Sequence, residues 1–231
     1  MKTKIFCDIA DIKEIKRFEK KKIVRGFTTN PSLMRAAGAK NYIEYCKKIL
    51  KITDKPISFE VFGDDKASMI RQGLLLNKLD KNVFVKVPVV NSKGVFMGEV
   101  IEFLNSKNIK LNITAVYSSA QTEKILKKIN KKTNVIISIF AGRMADNGHD
   151  PIPVFEKSLH FAKKNKNVEI LWASTREPYN YIQAKKLNCH LITMPPVMIK
   201  KIENFGQTKR ILSIKTVKGF LDDSQKSKFK L

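Results

Sequence analysis

Lys86 sits in the run Val83-Phe84-Val85-Lys86-Val87-Pro88-Val89, a lysine inside an otherwise apolar, β-branched segment. Burying an ammonium is costly unless it is paired, and desolvation favours the neutral form. A neutral amine attacks carbonyl carbon, so this residue in this setting points to Schiff-base chemistry. The competing reading is a lysine whose stem packs while its head escapes to water at a strand end. Two carboxylates lie in similar settings. Glu60, late in Ile57-Ser58-Phe59-Glu60-Val61-Phe62, reads as a proton carrier for imine formation, through a water held by Thr114, or as the ion-pair partner of some lysine. Asp8, after Lys4-Ile5-Phe6-Cys7, reads as a second proton-transfer group or as the cap of a helix beginning near Asp11.

Arg143 and Arg176 stand out because the cations of this chain are mostly lysine. A guanidinium grips phosphate through two parallel hydrogen bonds, which an ammonium cannot reproduce. Ser138 and Ser174 are placed to add hydrogen bonds to the same group. Surface salt bridging is the alternative for both arginines.

The elements that must position these groups follow from periodicity. Short β-rich runs occur at Lys4–Asp8, Ile23–Thr28, Ile57–Phe62, Val83–Val87, Lys110–Ala115, Asn134–Phe140, Glu169–Ala173 and His190–Met194. Between them lie segments of helical spacing, such as Ile12, Ile15 and Phe18, or Ile125, Leu126 and Ile129. About eight such repeats in one short chain predict a single (β/α)8 barrel rather than an open sheet. In that fold the C-terminal strand ends converge on one site. Asp8, Asn30, Glu60, Lys86, Asn112 with Thr114, Ser138 with Arg143, and Ser174 with Arg176 all fall at or just beyond those ends. Random surface polarity would not choose one end of every strand.

Thr29-Asn30-Pro31-Ser32 marks a strand-to-helix turn, with Asn30 at the capping position and Pro31 in the first helical turn. After the eighth strand, an amphipathic helix is expected over about 208–223, apolar through Ile211, Leu212, Ile214, Val217 and Leu221. That much apolar surface is expected to pack on its own barrel or on a neighbouring subunit. Residues 224–231 read as a frayed tail, and one domain spans 1–231.

Composition bounds the rest. The net charge of +24 is mostly lysine, in pairs such as Lys47-Lys48 and Lys163-Lys164. These read as a solvated helical surface, with attraction to polyanions as the alternative; either would favour encounter with phosphorylated substrates. Cys7, Cys46 and Cys189 are few, odd in number and far apart, and His149, His160 and His190 form no ligand pattern. No disulfide framework and no metal site is expected. The apolar run Ile5–Cys7 is broken at once by Asp8, and no stretch approaches the ~20 residues that span a bilayer, so a soluble cytoplasmic protein is expected.

Taken together, these blocks resemble the transaldolase family, including its short members and the related fructose-6-phosphate aldolases. The likeness runs from Phe6-Cys7-Asp8-Ile9-Ala10-Asp11 to Ile192-Thr193-Met194-Pro195. It is carried by Gly26-Phe27-Thr28-Thr29-Asn30-Pro31-Ser32, Val85-Lys86-Val87-Pro88, Leu111-Asn112-Ile113-Thr114-Ala115-Val116-Tyr117, Ser138-Ile139-Phe140-Ala141-Gly142-Arg143 and Ala173-Ser174-Thr175-Arg176. The resemblance implies that Lys86 forms the Schiff base, that Asp8 transfers a proton during carbon–carbon cleavage, and that Glu60 and Thr114 hold the catalytic water. Asn30 and Asn112 would bind hydroxyls of a dihydroxyacetone unit, Arg143, Arg176 and Ser174 the phosphate, and Ser138 would line the pocket. Glu60 and Phe140 match the transaldolase branch, where the aldolases carry Gln and Tyr. Cys7-Asp8-Ile9 in place of Leu-Asp-Thr, and Ala141 in place of Val, are the departures. The resemblance further implies phosphorylated sugar substrates, no cofactor, and ring-like homo-oligomers, pentamers or decamers, in which the terminal helix crosses to a neighbour.

Overall fold

The computed structural model describes residues 3–228. Eight parallel strands follow one another around a closed barrel: β1 (Lys4–Asp8), β2 (Val24–Thr28), β3 (Ile57–Glu60), β4 (Val83–Pro88), β5 (Leu111–Val116), β6 (Val135–Phe140), β7 (Val168–Ala173) and β8 (Leu191–Met194). Pairing of Lys4–Cys7 with Leu191–Met194 closes the ring. Helices run outside it: α1 (Ile12–Glu19), α2 (Pro31–Ala36), α3 (Tyr42–Leu50), α4 (Lys66–Asn77), α5 (Gly98–Ser106), α6 (Ser119–Leu126), α7 (Ala141–Asp146), α8 (Ile152–Ala162), α9 (Asn180–Lys186) and α10 (Pro196–Glu203). A further helix, α11 (Lys209–Ser227), follows. This is the (β/α)8 barrel that the alternation predicts. β3 stops at Glu60 rather than Phe62, and α6 stops at Leu126, leaving Ile129 in the following turn.

Helix starts are written locally. Asp11, Asn30, Asn41, Asp65, Ser118 and Thr208 each accept a hydrogen bond from the backbone N–H three residues on, which satisfies a donor the helix leaves orphaned. Asp11, not Asp8, therefore caps α1.

Strand residues alternate between two cores. Odd positions such as Ile5, Cys7, Phe27, Phe59, Val85, Ile113 and Ile137 pack outward against the helices in one continuous core. The barrel lumen holds a second, separate apolar cluster of Phe6, Phe84, Ile136, Leu171, Ala173 and Leu191, with Phe140 against it. Gly26 makes room for the Phe6 ring: a Cβ there would lie 2.5 Å from Phe6 Cζ. Two residues further along, these strands turn polar inside the lumen: Phe6 gives way to Asp8, Phe84 to Lys86, Ile136 to Ser138, and Leu191 to Thr193. An apolar plug thus forms the floor beneath a polar layer.

The terminal segment departs from expectation. None of the α11 residues is buried, and Ile211, Leu212, Ile214, Val217, Phe220 and Leu221 are 43–70% exposed. This helix does not pack on its own barrel. It also runs past the expected end at Asp223 to Ser227, because Ser224-Gln225-Lys226-Ser227 contains no helix breaker; residues 229–231 lie outside those described.

Candidate active site

The polar layer opens into a cavity of about 200 Å³ at the C-terminal end of the strands. Asp8, Asn30, Lys86, Asn112, Thr114, Ser138, Phe140, Arg143, Ser174 and Arg176, all expected from the sequence, line it. Glu60 alone among the expected residues does not. It reaches the amine from β3, while its own surroundings are an apolar pocket that includes Tyr42, Phe62 and Leu75.

Register places the central groups. Glu60, Lys86 and Asn112 stand side by side on β3, β4 and β5. Lys86 is 7% exposed; its Nζ lies 3.0 Å from Glu60 Oε2 and donates to the Thr29 carbonyl at 3.1 Å. So the ammonium head does not escape to bulk water, and the lysine keeps a carboxylate within proton-transfer distance. Tyr42 holds Glu60 from outside the barrel: its hydroxyl accepts from Glu60 N and donates to Glu60 O, both at 3.0 Å. Burial pushes the Tyr42 phenol up, so it stays protonated and able to donate.

Asp8 is held by a relay of hydroxyls. Thr28 Oγ1 donates to Asp8 Oδ1 at 2.7 Å, and the Thr28 and Thr193 hydroxyls lie 2.5 Å apart. Since the Thr28 proton is committed to the carboxylate, Thr193 donates to Thr28. Burial raises the Asp8 pKa above the ordinary carboxylate range; the positive charge of Lys86 and then the Thr28 hydrogen bond oppose that rise. The positive charge of Lys86 therefore favours the ionised form of Asp8, against the effect of burial.

The opposite wall is a chain of neutral polar groups. Ser138 Oγ donates to Asn112 Oδ1 at 2.7 Å, and Asn112 Nδ2 donates to Ser58 Oγ at 2.9 Å. This fixes Asn112 with one amide hydrogen committed and one left over. The buried Thr114 hydroxyl has no hydrogen-bond partner among the described residues. Asn30 Oδ1 is occupied by Leu33 N at 2.9 Å, which leaves its amide N–H groups for the cavity.

The rim is cationic. Arg143 lies over the Phe140 ring at 5.7 Å. Arg176 is engaged by Asp146, with Nη2–Oδ2 at 2.7 Å and Nε–Oδ2 at 2.9 Å. The Arg176 hydrogen bond holds Asp146 below the usual carboxylate range. Both side chains remain about half exposed, so this exposed pair orients the guanidinium more than it stabilises the fold. Ser174, at φ +62°, presses its carbonyl onto Gly142: a Cβ there would fall 1.7 Å from Ser174 O. Only glycine permits that approach, and the approach places the two arginines at one mouth.

Sequence reasoning missed Thr28, Thr193, Ser58 and Tyr42. Thr28 and Thr193 were open to detection, since each shares the inward phase of the polar strand ends. Tyr42 gave no local signal; Asp146 belongs to the segment Asp146-Asn147-Gly148-His149-Asp150, which the sequence marks as one that shapes substrate preference, and its pairing with Arg176 is seen only in the fold.

Comparison with known proteins accords with this geometry. Residues 5–230 match the family model described as transaldolase/fructose-6-phosphate aldolase. The "Probable transaldolase" of Thermoanaerobacter sp. (strain X514) is 32% identical over 99% of this chain and 100% of its own length. That of Sorangium cellulosum (strain So ce56) is 33% identical, covering 96% and 97%, and that of Methanococcus maripaludis (strain C7 / ATCC BAA-1331) 32%, covering 89% and 92%. In fold alone, the chain resembles a crystal structure titled "putative phosphonomutase" from Burkholderia cenocepacia J2315, with a TM-score of 0.59 at 8% identity over 96% of this chain and 94% of that one. A barrel matched from its first strand to its last helix, with relatives alike over nearly their whole length, leaves one assignment: the chain belongs to the transaldolase/fructose-6-phosphate aldolase family.

Proposed function

We propose that this protein is a transaldolase, transferring a dihydroxyacetone unit between sugar phosphates through a Schiff base on Lys86. The observation that carries the reading is the enclosed amine, 3.0 Å from a carboxylate, on the wall of a cavity whose mouth bears two guanidinium groups. Lys86 gives its ammonium proton to Glu60, and the neutral amine attacks the C2 ketone of fructose 6-phosphate or sedoheptulose 7-phosphate. Glu60 returns the proton to the departing hydroxyl, by way of a water at Thr114, and the iminium forms. Its fixed positive charge restores the partner that keeps Asp8 ionised. Asp8 takes the C4 hydroxyl proton, the C3–C4 bond breaks, and the electron pair moves into the iminium to leave an enamine and a free aldose phosphate. Asn30 and Asn112 hold the hydroxyls of the bound three-carbon unit, and Arg143, Arg176 and Ser174 the phosphate. With erythrose 4-phosphate or glyceraldehyde 3-phosphate as acceptor, the enamine attacks the aldehyde and Asp8 returns its proton. Hydrolysis then frees Lys86.

Glu60 and Phe140 support group transfer over simple release of dihydroxyacetone. The uncovered apolar stripe of α11 supports a homo-oligomer in which this helix packs on another subunit. The three cysteines are free and buried, with burial pushing the Cys46 and Cys189 thiols up to about 12, which suits a cytoplasmic protein without disulfides. Borohydride with fructose 6-phosphate is expected to leave a mass adduct on the Lys86 peptide and none in Lys86→Ala. An adduct surviving in Lys86→Ala would overturn the assignment, and turnover of fructose 6-phosphate without acceptor would replace transfer by aldol cleavage.

A further inference from the structure

The fold sorts the lysines. The seven segments leading from a helix into β2–β8 (residues 20–23, 51–56, 78–82, 107–110, 127–134, 163–167 and 187–190) carry sixteen lysines against Asp54 and Asp80, a balance of +14. The segments leading out of the strands to the long helices (residues 9–11, 29–41, 61–65, 89–97, 117–118, 141–151, 174–179 and 195) carry five basic and six acidic residues, a balance of −1. The excess cation therefore gathers at the N-terminal face of the barrel. The catalytic cavity opens on the other face, where Arg143 and Arg176 supply the local positive charge.

Helix dipoles explain part of this. Lys20, Lys51, Lys78, Lys107, Lys127 and Lys163 are C-caps, where a cation is favourable. They do not explain the other ten, which lie beyond the caps. Of these, Lys22, Lys131, Lys132, Lys164 and Lys166 are exposed and have no carboxylate partner among the described residues. Unpaired like charges on one face repel one another, and bringing a polyanion to that face relieves the repulsion.

Three features select the partner. No large hydrophobic side chain is exposed in the seven segments, so nothing there would insert into a lipid surface. Two clefts of about 240 and 510 Å³ meet at Lys22 and Arg25, giving the edge of the face a concavity that a chain of phosphates can enter and a plane of headgroups cannot. Apart from Arg25, the cations are lysines, point charges that bind phosphate without the planar fork that reads base edges. We propose that the N-terminal face of the barrel docks the phosphodiester backbone of nucleic acid, without regard to sequence.

The test is fluorescence anisotropy with a labelled mixed-sequence 20-base-pair DNA duplex and a single-stranded RNA 20-mer, run from 50 to 200 mM salt. A protein making six or more phosphate contacts should lose about 10³-fold in affinity over that range. The quadruple change Lys131→Glu, Lys132→Glu, Lys164→Glu and Lys166→Glu is expected to weaken binding at least about 100-fold at low salt and to flatten the log–log salt slope by about 3. A control of equal charge change on the other faces, Lys13→Glu, Lys40→Glu, Lys93→Glu and Lys157→Glu, should stay within about threefold of the wild type. Far-ultraviolet circular dichroism checks that both variants are folded. Tighter binding of the RNA or of the duplex identifies which backbone is preferred. Equal losses in the two variants, no binding at 50 mM salt, or tighter binding to vesicles containing phosphatidylserine would each overturn the proposal. Borohydride trapping on Lys86 is read separately, so failure here leaves the catalytic reading untouched.

Discussion

Gly142→Ala isolates the phosphate grip from the Schiff base. The new methyl would meet Ser174 O at 1.7 Å and Arg176 Cγ at 2.9 Å, whereas Cβ atoms essentially never approach another heavy atom within 3.0 Å. The loop after β7 or the start of α7 must therefore shift by at least 1.3 Å, and both carry rim arginines. Ser174 cannot readily absorb the movement, because it is already in the left-handed region at φ +62°. A displacement of about 1 Å in a positioning group costs on the order of 100-fold in rate, equivalent to about 2.7 kcal/mol. We therefore expect kcat/KM for fructose 6-phosphate to fall about 100-fold, chiefly through KM. Lys86, on β4, makes no contact with this clash, so borohydride trapping of unphosphorylated dihydroxyacetone should proceed within about threefold of the wild-type rate. Steady-state kinetics on the sugar phosphate and mass-spectrometric trapping with dihydroxyacetone read the two arms. Equal losses in both would refute the reasoning, as would an unchanged KM.

Three further perturbations separate roles within the site. Asp8 has a folded pKa raised by burial, so the native state binds more protons than the unfolded chain between the unfolded value near 3.8 and the folded one, and stability is lost as pH rises through that window. Asp8→Asn is accordingly expected to raise the melting temperature at pH 8 but not at pH 3.5, while lowering kcat at least about 100-fold; equal shifts at both pH values would show that ionisation is not the cause. Thr114→Val removes a buried hydroxyl that no described protein group satisfies, so stability should hold or rise while imine formation slows about 10- to 100-fold in a trapping time course. An unslowed time course would exclude a proton-relay role. Asp146→Asn releases Arg176 from its carboxylate, and inorganic phosphate should then inhibit about 3- to 10-fold more tightly; weaker inhibition would mean that Asp146 chiefly holds the guanidinium in place.

The architecture could be read from the chain because short, β-branched apolar runs and helical runs alternate eight times, and closure is the compact answer to that pattern. The charged site residues were conspicuous for a related reason: a lysine, two carboxylates and two asparagines interrupt or end strands where apolar residues are the rule. Thr28 and Thr193 escaped notice because threonine is an ordinary strand residue, and only barrel closure brings Thr193 on β8 within reach of Thr28. Tyr42 lies on α3, eighteen residues before the glutamate it clamps, and nothing in its local sequence marks the contact. The independence of α11 was hidden for a different reason. Amphipathicity shows that a face wants cover without showing which surface supplies it. The crowding of lysines at one end of the barrel was not legible, because it exists only once the helices and strands are laid out.

The luminal plug of Phe6, Phe84, Ile136, Leu171 and Leu191 has an electrical consequence. A dry hydrocarbon partition separates a strongly cationic face from a chamber whose chemistry needs an amine that can shed its charge. Hydrocarbon of low dielectric constant weakens an electric field far less than water does, so the outer charge is felt inside the chamber unless counterions at the lysine face neutralise it. The partition keeps water and ions from leaking between the two ends, while salt at the outer face sets how far its charge reaches.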